Sequence, residues 1–202
     1  MKQHKTKGEM LHEELEECLT PNPMGLPYMQ CSRECQEEQY WVIDKEGNNC
    51  FSSIKQKKEQ PFHVKSISSN SKVKKSWLVC VDEGLVTNQK SNATPRCDNL
   101  LFNDEIFYYV EAKMRVKGDN WKAEIDDAVK NKIPTTKQFI DNSLRLKGYE
   151  VKQQIGIAIP FPALNYKVPR DNPQKEESLR QKARKHAGNW VSKLTLRETI
   201  EL

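Results

Sequence analysis

Three charged residues at the ends of two neighbouring apolar segments are the strongest candidates for chemistry in this sequence. Glu111 and Lys113 follow the apolar run 106–110, and a spacing of two residues on a strand places their side chains on one face. Asp98 begins the preceding apolar run, and a hairpin turn at residues 103–105 would place it level with Glu111 and Lys113. Charged groups at such positions are costly to bury unless they pair, bind a metal or open into a cleft. The sequence therefore predicts that two carboxylates and one ammonium converge at one end of a sheet.

These groups suit the metal-assisted hydrolysis of a phosphodiester. The carboxylates of Asp98 and Glu111 and the carbonyl of Ala112 are hard oxygen ligands, of the kind that Mg²⁺ or Mn²⁺ prefers. The metal would lower the pKa of a bound water and stabilise the negative charge of the transition state. Lys113 could orient the attacking water or neutralise the developing charge.

Periodicity predicts the elements that must position these residues. Apolar runs or alternation predict strands, and apolar residues at helical spacing predict helices. Rough alternation of Phe62, Val64 and Ile67 predicts strand structure from about residue 60. Further predicted strands cover residues 77–81, 97–102, 106–113 and 149–159, with the second and third of these joined as a hairpin. The predicted helices cover residues 7–19, 121–133, 139–146 and 174–190, with a short helix or turn at 34–41. Pro134 is expected to end or kink the second of these helices, and Gly148 to end the third.

This order predicts a single α/β domain with a mixed central sheet flanked by helices. A chain of 202 residues is long enough for one substantial core and short for two independent ones. Within the domain, residues 1–50 form an acidic N-terminal helical region, residues 51–165 an α/β core of catalytic type, and residues 166–202 a basic C-terminal helix.

The motif Asp98-x₁₂-Glu111-Ala112-Lys113, with the acid and the E-x-K on adjacent strands, resembles the PD-(D/E)XK nuclease superfamily (restriction-endonuclease-like, RecB-like). The helix after the third strand and the later strand also fit that element order, over about residues 75–160. The resemblance implies a restriction-endonuclease-like fold, a Mg²⁺ or Mn²⁺ cofactor and cleavage of DNA more than RNA. It implies Asp98 and Glu111 as metal ligands and Lys113 as the catalytic lysine. Cys97 stands where that motif often has a proline.

The resemblance carries two further expectations and one alternative. Some members place an accessory acid on the first helix, for which Glu14 and Glu17 are candidates, and many members of this size act as homodimers. The alternative is a catalytically inactive module of the same fold that binds nucleic acid or a protein partner in a defence or toxin-neutralising system. An E-x-K pair can also be an exposed salt bridge of small energetic effect.

Charge is distributed unevenly along the chain. The net charge is +5, yet residues 1–50 carry five Lys or Arg against ten Asp or Glu, so the other 152 residues carry +10. A basic body suits a polyanion because each neutralised phosphate releases counterions, although a solvated Lys-rich surface explains it equally well. Arg180 and Arg184 are four apart on a predicted helix and are the candidate phosphate contacts.

The remaining motifs exclude several classes of protein. No run of about 18 apolar residues is present, so no membrane span is expected, and no glycine-rich phosphate loop is visible. The N-terminus does not resemble a secretory signal, so we expect a cytoplasmic protein whose six cysteines are reduced. The sequence leaves the role of Cys31 and Cys35 open: a metal cluster with Cys18 and Cys50, at a spacing unusual for zinc, or simple thiols.

Overall fold

The computed structural model describes residues 4–43, 51–53, 62–66, 74–87, 95–113, 120–145, 148–149, 151, 154–160 and 172–202. Its helices are α1 (Lys7–Cys18), α2 (Tyr28–Cys31), α3 (Trp121–Asp127), a π-helical segment (Ala128–Lys132), α4 (Ile133–Arg145) and α5 (Pro173–Ala187). Its strands are β1 (Ser32–Cys35), β2 (Gln39–Ile43), β3 (Phe51–Ser53), β4 (Phe62–Lys65), β5 (Ser76–Cys80), β6 (Asn99–Phe102), β7 (Ile106–Val110), β8 (Gln154–Ala158), β9 (Lys193–Thr195) and β10 (Thr199–Glu201).

A six-stranded sheet forms the centre of the described structure, in the order β1-β5-β6-β7-β8-β9. Strands β1, β5, β6 and β7 are antiparallel neighbours, whereas β7, β8 and β9 run parallel. The predicted hairpin is confirmed, since Asn99 lies opposite Val110 and Phe102 opposite Phe107. Its turn is held by the Asn103 side chain, which accepts the backbone N–H groups of the two residues that lead into β7. The mixed α/β class is therefore confirmed.

The helices cover one face of this sheet. Apolar side chains of α1 and of the α3–α4 region pack against the strands, and all are fully or nearly fully buried. The aromatic rings of Trp77, Phe102 and Phe107 lie in a row across β5, β6 and β7, with centroids 5.4 Å and 5.2 Å apart. The first helix is confirmed, and it begins with a capping box between Thr6 and Glu9.

A second sheet, in the order β10-β4-β2-β3, covers the opposite face. Tyr40, Val42 and Phe62 from this sheet pack into one core with Leu78 and Leu101 of the central sheet. The prediction of helices on both faces therefore needs correction. The helix or turn predicted at 34–41 also needs correction, because the two ends of this segment pair with β5 and β4 as parts of strands β1 and β2.

The C-terminal region contains more than the predicted basic helix. Helix α5 begins with the Asn172 side chain accepting the Lys175 N–H and with a proline at its first position. The chain then adds β9 to the edge of the central sheet and β10 to the edge of the second sheet. Among the described residues, no helix has the length and apolar character needed to cross a membrane.

The interruption predicted at Pro134 takes the form of a π-helical segment rather than a break. Residues Ala128–Lys132 form a wider turn, in which the Ile133 N–H donates to the Ala128 carbonyl. Pro134 follows directly, at the second position of α4, where a missing N–H is tolerated. Such π-helical turns are frequent at functional sites, and this one faces the predicted site.

Candidate active site

Asp98 and the segment 111–113 meet at one end of the β6–β7 hairpin. Asp98 directly precedes β6, and Glu111 directly follows β7. The Oδ2 atom of Asp98 accepts the backbone N–H of Ala112 at 2.6 Å, so the carboxylate is placed against the segment that carries the E-x-K motif. The sequence prediction that Asp98 lies level with this motif is confirmed.

The E-x-K segment is fixed on its other side by β8 and the residues after it. The N–H of Glu111 donates to the Ala158 carbonyl at 3.0 Å, and the N–H of Lys113 donates to the Pro160 carbonyl at 3.0 Å. The parallel ladder between β7 and β8 therefore continues beyond Val110. Both side chains thus project from a backbone that is hydrogen-bonded on its two sides.

All three side chains lie at or near the helix-covered face of the sheet. Phe107 and Tyr109 belong to the helix-side core, and side chains alternate along a strand, so Glu111 and Lys113 continue that face. Asp98 lies near the same face, because its charge acts on Lys132 of the helical region and on Cys97 of the same core. The α3–α4 region packs over this face and supplies the other groups of the site.

Glu111 is the most buried charged group of the site, with 1% of its surface exposed. Its Oε1 atom lies 2.7 Å from the Lys113 ammonium and 2.5 Å from the Lys132 ammonium. Its Oε2 atom is buried and has no hydrogen-bond partner among the residues that the structure describes. A buried polar atom left unsatisfied costs about 1–3 kcal/mol, and more when it is charged. This oxygen therefore has the capacity to accept one further interaction.

Lys113 is held between two carboxylates. Besides Glu111, its ammonium contacts Glu124 of α3 at 2.8 Å. Burial opposes the charge on Lys113, but the combined attraction of Glu111 and Glu124 outweighs it and raises the pKa of the ammonium above its ordinary value. Lys113 therefore keeps its proton at neutral pH and acts as a fixed positive charge.

Lys132 is a site residue that the sequence did not identify. It is the last residue of the π-helical segment, and its side chain is 28% exposed, against 10% for Lys113. Thr136 fixes this segment to the strand side of the site: its hydroxyl donates to the Lys132 carbonyl at 2.9 Å and accepts the Cys97 N–H at 2.9 Å. Pro134 indicated in the sequence that the helix is irregular at this point. Helical periodicity could therefore not show which of the nearby lysines faces the sheet.

Cys97, the residue before Asp98, has a structural role. Its thiol is fully buried, and burial raises its pKa well above the ordinary value, so it stays protonated. The thiol lies 3.4 Å from the Asn99 carbonyl and donates to it. A nucleophilic role for this cysteine is not supported.

Metal binding at this site would rest on few protein ligands. Among the described residues, no group of three or more His, Cys, Asp or Glu side chains is placed to hold a metal ion. Asp98, Glu111 and the Ala112 carbonyl remain the predicted ligands, and the partnerless Oε2 of Glu111 fits this role. Mg²⁺ commonly binds through one or two carboxylates and keeps several waters, so such a set is compatible with it.

The two predicted accessory acids lie elsewhere on α1. Glu14 is close to Tyr149, whose pKa is raised by burial and, secondly, by Glu14. Tyr149 is hydrogen-bonded at the C-terminal end of α4, and the 13 residues of this helix span about 20 Å from the end near Glu111. Glu17 is exposed and contributes, well behind other acids of α1, to the raised pKa of Lys5. Among the described contacts, neither Glu14 nor Glu17 lies near Glu111.

The two candidate phosphate contacts already have partners within the chain. Arg180 donates to the Glu177 carboxylate at 2.6 Å and 2.5 Å. Arg184 donates to the Val191 carbonyl at 2.7 Å. Their helix nevertheless lies beside the site, because Lys182 of α5 pairs with Asp126 of α3.

Cys31 and Cys35 lie in different cores. Cys31 is buried on the helix side of the central sheet, whereas Cys35 is buried on the side of the second sheet. Burial raises the pKa of Cys31 to about 12. Each described cysteine is a free thiol, and Cys50 lies outside the described residues. The placement of this pair supports structural thiols rather than a shared metal cluster.

Comparison with protein-family models, with curated proteins and with solved structures gave no match to this chain. The chemistry of the site must therefore be argued from its own residues.

Proposed function

We propose that this protein is a metal-dependent nuclease that hydrolyses phosphodiester bonds, in DNA more than in RNA. The observation that carries the proposal is Glu111, a buried carboxylate with one oxygen held by two ammonium groups and the other without a partner among the described residues. Burial of a charged group in this state opposes stability, so a functional reason for it is expected. Asp98 beside it supplies a second carboxylate.

The element order gives independent support for a restriction-endonuclease-like fold. A first helix is followed by the antiparallel strands β5, β6 and β7, then by a helical region, and then by β8, which is parallel to β7. This is the order that the resemblance to the PD-(D/E)XK superfamily implies. The second sheet and strands β1 and β9 are additions to that core.

Each site residue has a defined part in the proposed reaction. Asp98, Glu111 and the Ala112 carbonyl would hold Mg²⁺ or Mn²⁺, which when bound lowers the pKa of a water and stabilises charge on the phosphate. Lys113 keeps a fixed positive charge beside them and would stabilise the negative charge of the transition state. Glu124 fixes the position of the Lys113 ammonium.

The charge around the site is consistent with a polyanionic substrate. Helix α5 packs against the π-helical segment, pairs with α3 through Lys182 and Asp126, and carries five Lys or Arg residues against two Glu residues. A basic helix beside the metal-binding groups would attract a phosphate backbone and hold it there in a salt-dependent manner.

The test is cleavage of supercoiled plasmid, single-stranded DNA and RNA in the presence of Mg²⁺ or Mn²⁺. The variants Asp98→Asn, Glu111→Gln and Lys113→Met should each lose cleavage. Glu105→Gln is the matched control, because Glu105 is an exposed acid at the opposite end of the same hairpin. Equal cleavage by Glu111→Gln and Glu105→Gln would show that the site is wrongly assigned.

A second candidate function is a catalytically inactive module of the same fold that binds nucleic acid or a protein partner, for example in a defence or toxin-neutralising system. The specific observation in its favour is that two ammonium groups already neutralise Glu111. Salt-sensitive nucleic-acid binding without turnover in either metal would support it. Sedimentation of the protein without nucleic acid would show whether it is a homodimer, whichever of the two functions it has.

A further inference from the structure

Lys132 contacts the central carboxylate of the site from the side that faces solvent. Its ammonium lies 2.5 Å from Oε1 of Glu111, the same oxygen that Lys113 contacts at 2.7 Å. The side chain of Lys132 is 28% exposed, nearly three times the fraction for Lys113. Of the two lysines, Lys132 therefore presents the larger part of its side chain to an incoming ligand.

Neutralisation of the buried Glu111 charge does not require both lysines. Lys113 already compensates it, and Lys113 is itself held in place by Glu124. Lys113 contacts two carboxylates, whereas the described ion-pair partner of Lys132 is Glu111, and the side chain of Lys132 is already partly exposed to solvent. Release of Lys132 would leave Glu111 paired with Lys113.

The backbone conformation around Lys132 also suits a side chain that contacts a ligand. Lys132 ends a π-helical segment, and Thr136 ties its carbonyl to the N–H of the residue before Asp98. The base of this side chain is therefore fixed relative to both predicted metal ligands, while part of the side chain is exposed to solvent. This combination of a fixed base and a partly exposed side chain suits a group that contacts a ligand directly.

The charges of the site balance in a way that favours an anion once a divalent cation is bound. Three carboxylates, those of Asp98, Glu111 and Glu124, face two ammonium groups, those of Lys113 and Lys132, so the five side chains sum to −1. A divalent cation would make the sum +1, which matches the single charge of one phosphodiester. Without Lys132 the same sum would be 0.

We propose that Lys132 is a second substrate-binding lysine, which leaves Glu111 and contacts a phosphate of the bound nucleic-acid strand next to the scissile bond. This inference rests on the proposed nuclease function and extends it to a residue outside the E-x-K motif. A purely structural Lys132 would support Glu111 and make no contact with the strand. The two roles differ in the salt dependence of binding, because only a phosphate contact releases a counterion.

The experiment measures binding of a labelled duplex and a labelled single strand by fluorescence anisotropy over a series of salt concentrations, with Ca²⁺ in place of Mg²⁺ so that a divalent cation is present while cleavage is suppressed. The variants are Lys132→Gln and Lys132→Arg. Lys130→Gln is the matched control, since Lys130 lies in the same π-helical segment but pairs with Asp126 on the exposed side of the helix. Thermal unfolding of each variant verifies that it is folded.

We expect Lys132→Gln to bind more weakly and to lower the magnitude of the slope of log K against log salt concentration by about 0.9 for duplex or about 0.7 for single strand. Lys132→Arg should restore the slope, and Lys130→Gln should leave it unchanged. Equal slopes for Lys132→Gln and the wild type would overturn the inference. Lack of binding by the wild type would overturn both the inference and the proposed function, whereas a slope change without cleavage in Mg²⁺ would overturn the hydrolytic function alone.

Discussion

Removal of both lysines around Glu111 should destabilise the protein by more than the sum of the two single changes. In the wild type, Oε1 of Glu111 accepts both ammonium groups while 98% of the side chain is buried. Either single variant, Lys113→Met or Lys132→Met, still leaves one ammonium beside this carboxylate. The double variant leaves the charge of Glu111 buried without either partner.

The magnitudes follow from these contacts. A hydrogen bond to a charged group contributes about 1.5–3 kcal/mol, and we expect Lys132→Met near the low end because its side chain is 28% exposed. Lys113→Met should cost about 2 kcal/mol, since it also loses the contact with Glu124, whose side chain is 44% exposed. Leaving a buried charge without its partner costs about 3–5 kcal/mol, so we expect the double variant to lose about 4.5 kcal/mol, which corresponds to a coupling energy of about 1 kcal/mol.

Urea unfolding, followed by both circular dichroism and tryptophan fluorescence, measures these free energies if the two probes coincide. In thermal unfolding, about 4–5 kcal/mol corresponds to a decrease in Tm of roughly 8–20 °C for a domain of this size. Addition of Glu111→Gln to the double variant should recover much of the loss, because it removes the unpaired charge. Additive single changes, or no recovery by Glu111→Gln, would refute this description of the site.

Three further predictions concern residues around the site and the helix-side core. Thr136→Val removes the acceptor of the Cys97 N–H and should cost about 1–3 kcal/mol in urea unfolding; a loss below about 0.5 kcal/mol would show that this contact matters little. His12 is half-buried between Tyr28 and Trp77, and burial lowers its pKa, so the folded state favours the neutral ring. The contribution of the neutral His12 ring to stability is fully present above the unfolded pKa of about 6.5 and is lost as the pH falls below that value. His12→Phe should therefore reduce the decrease in Tm on the acid side. An unchanged dependence of Tm on pH would contradict this. Burial raises the pKa of Cys31 to about 12, so iodoacetamide should alkylate it slowly at mildly alkaline pH in the folded protein and rapidly in urea, and equal rates would contradict its burial.

The triad of the candidate site was predictable because its geometry is local. The apolar segments of β6 and β7 are separated by three residues, so a hairpin was the simplest connection. Strand alternation then placed Glu111 and Lys113 on one face, and the hairpin register placed Asp98 level with them. No information from distant parts of the chain was needed for these steps.

The second sheet was not predictable in the same way. Strand β10 pairs in parallel with β4, with Ile200 beside Val64, although more than 130 residues separate them in the sequence. Three-residue strands such as β3 and β10 carry too few side chains to show alternation. Only the tertiary pairing makes these segments strands, and this is why the second face was expected to carry helices.

Lys132 was missed for a different reason. The segment before Pro134 contains two lysines, Lys130 and Lys132, and regular helical periodicity does not survive a π-turn. The wider turn decides that Lys132 reaches Glu111 while Lys130 pairs with Asp126. The side-chain direction of each lysine is thus a property of the folded backbone rather than of the local sequence pattern.

The central claim is that Glu111 is the buried ligand of a divalent cation, and calorimetric titration of Mn²⁺ into the wild type, Glu111→Gln and Glu105→Gln tests it most directly. We predict saturable binding by the wild type and by Glu105→Gln, and its loss in Glu111→Gln, because Oε2 of Glu111 has no partner among the described residues and is the oxygen available to a metal. Undiminished Mn²⁺ binding by Glu111→Gln, or no binding by the wild type, would contradict the assignment of this carboxylate as a metal ligand.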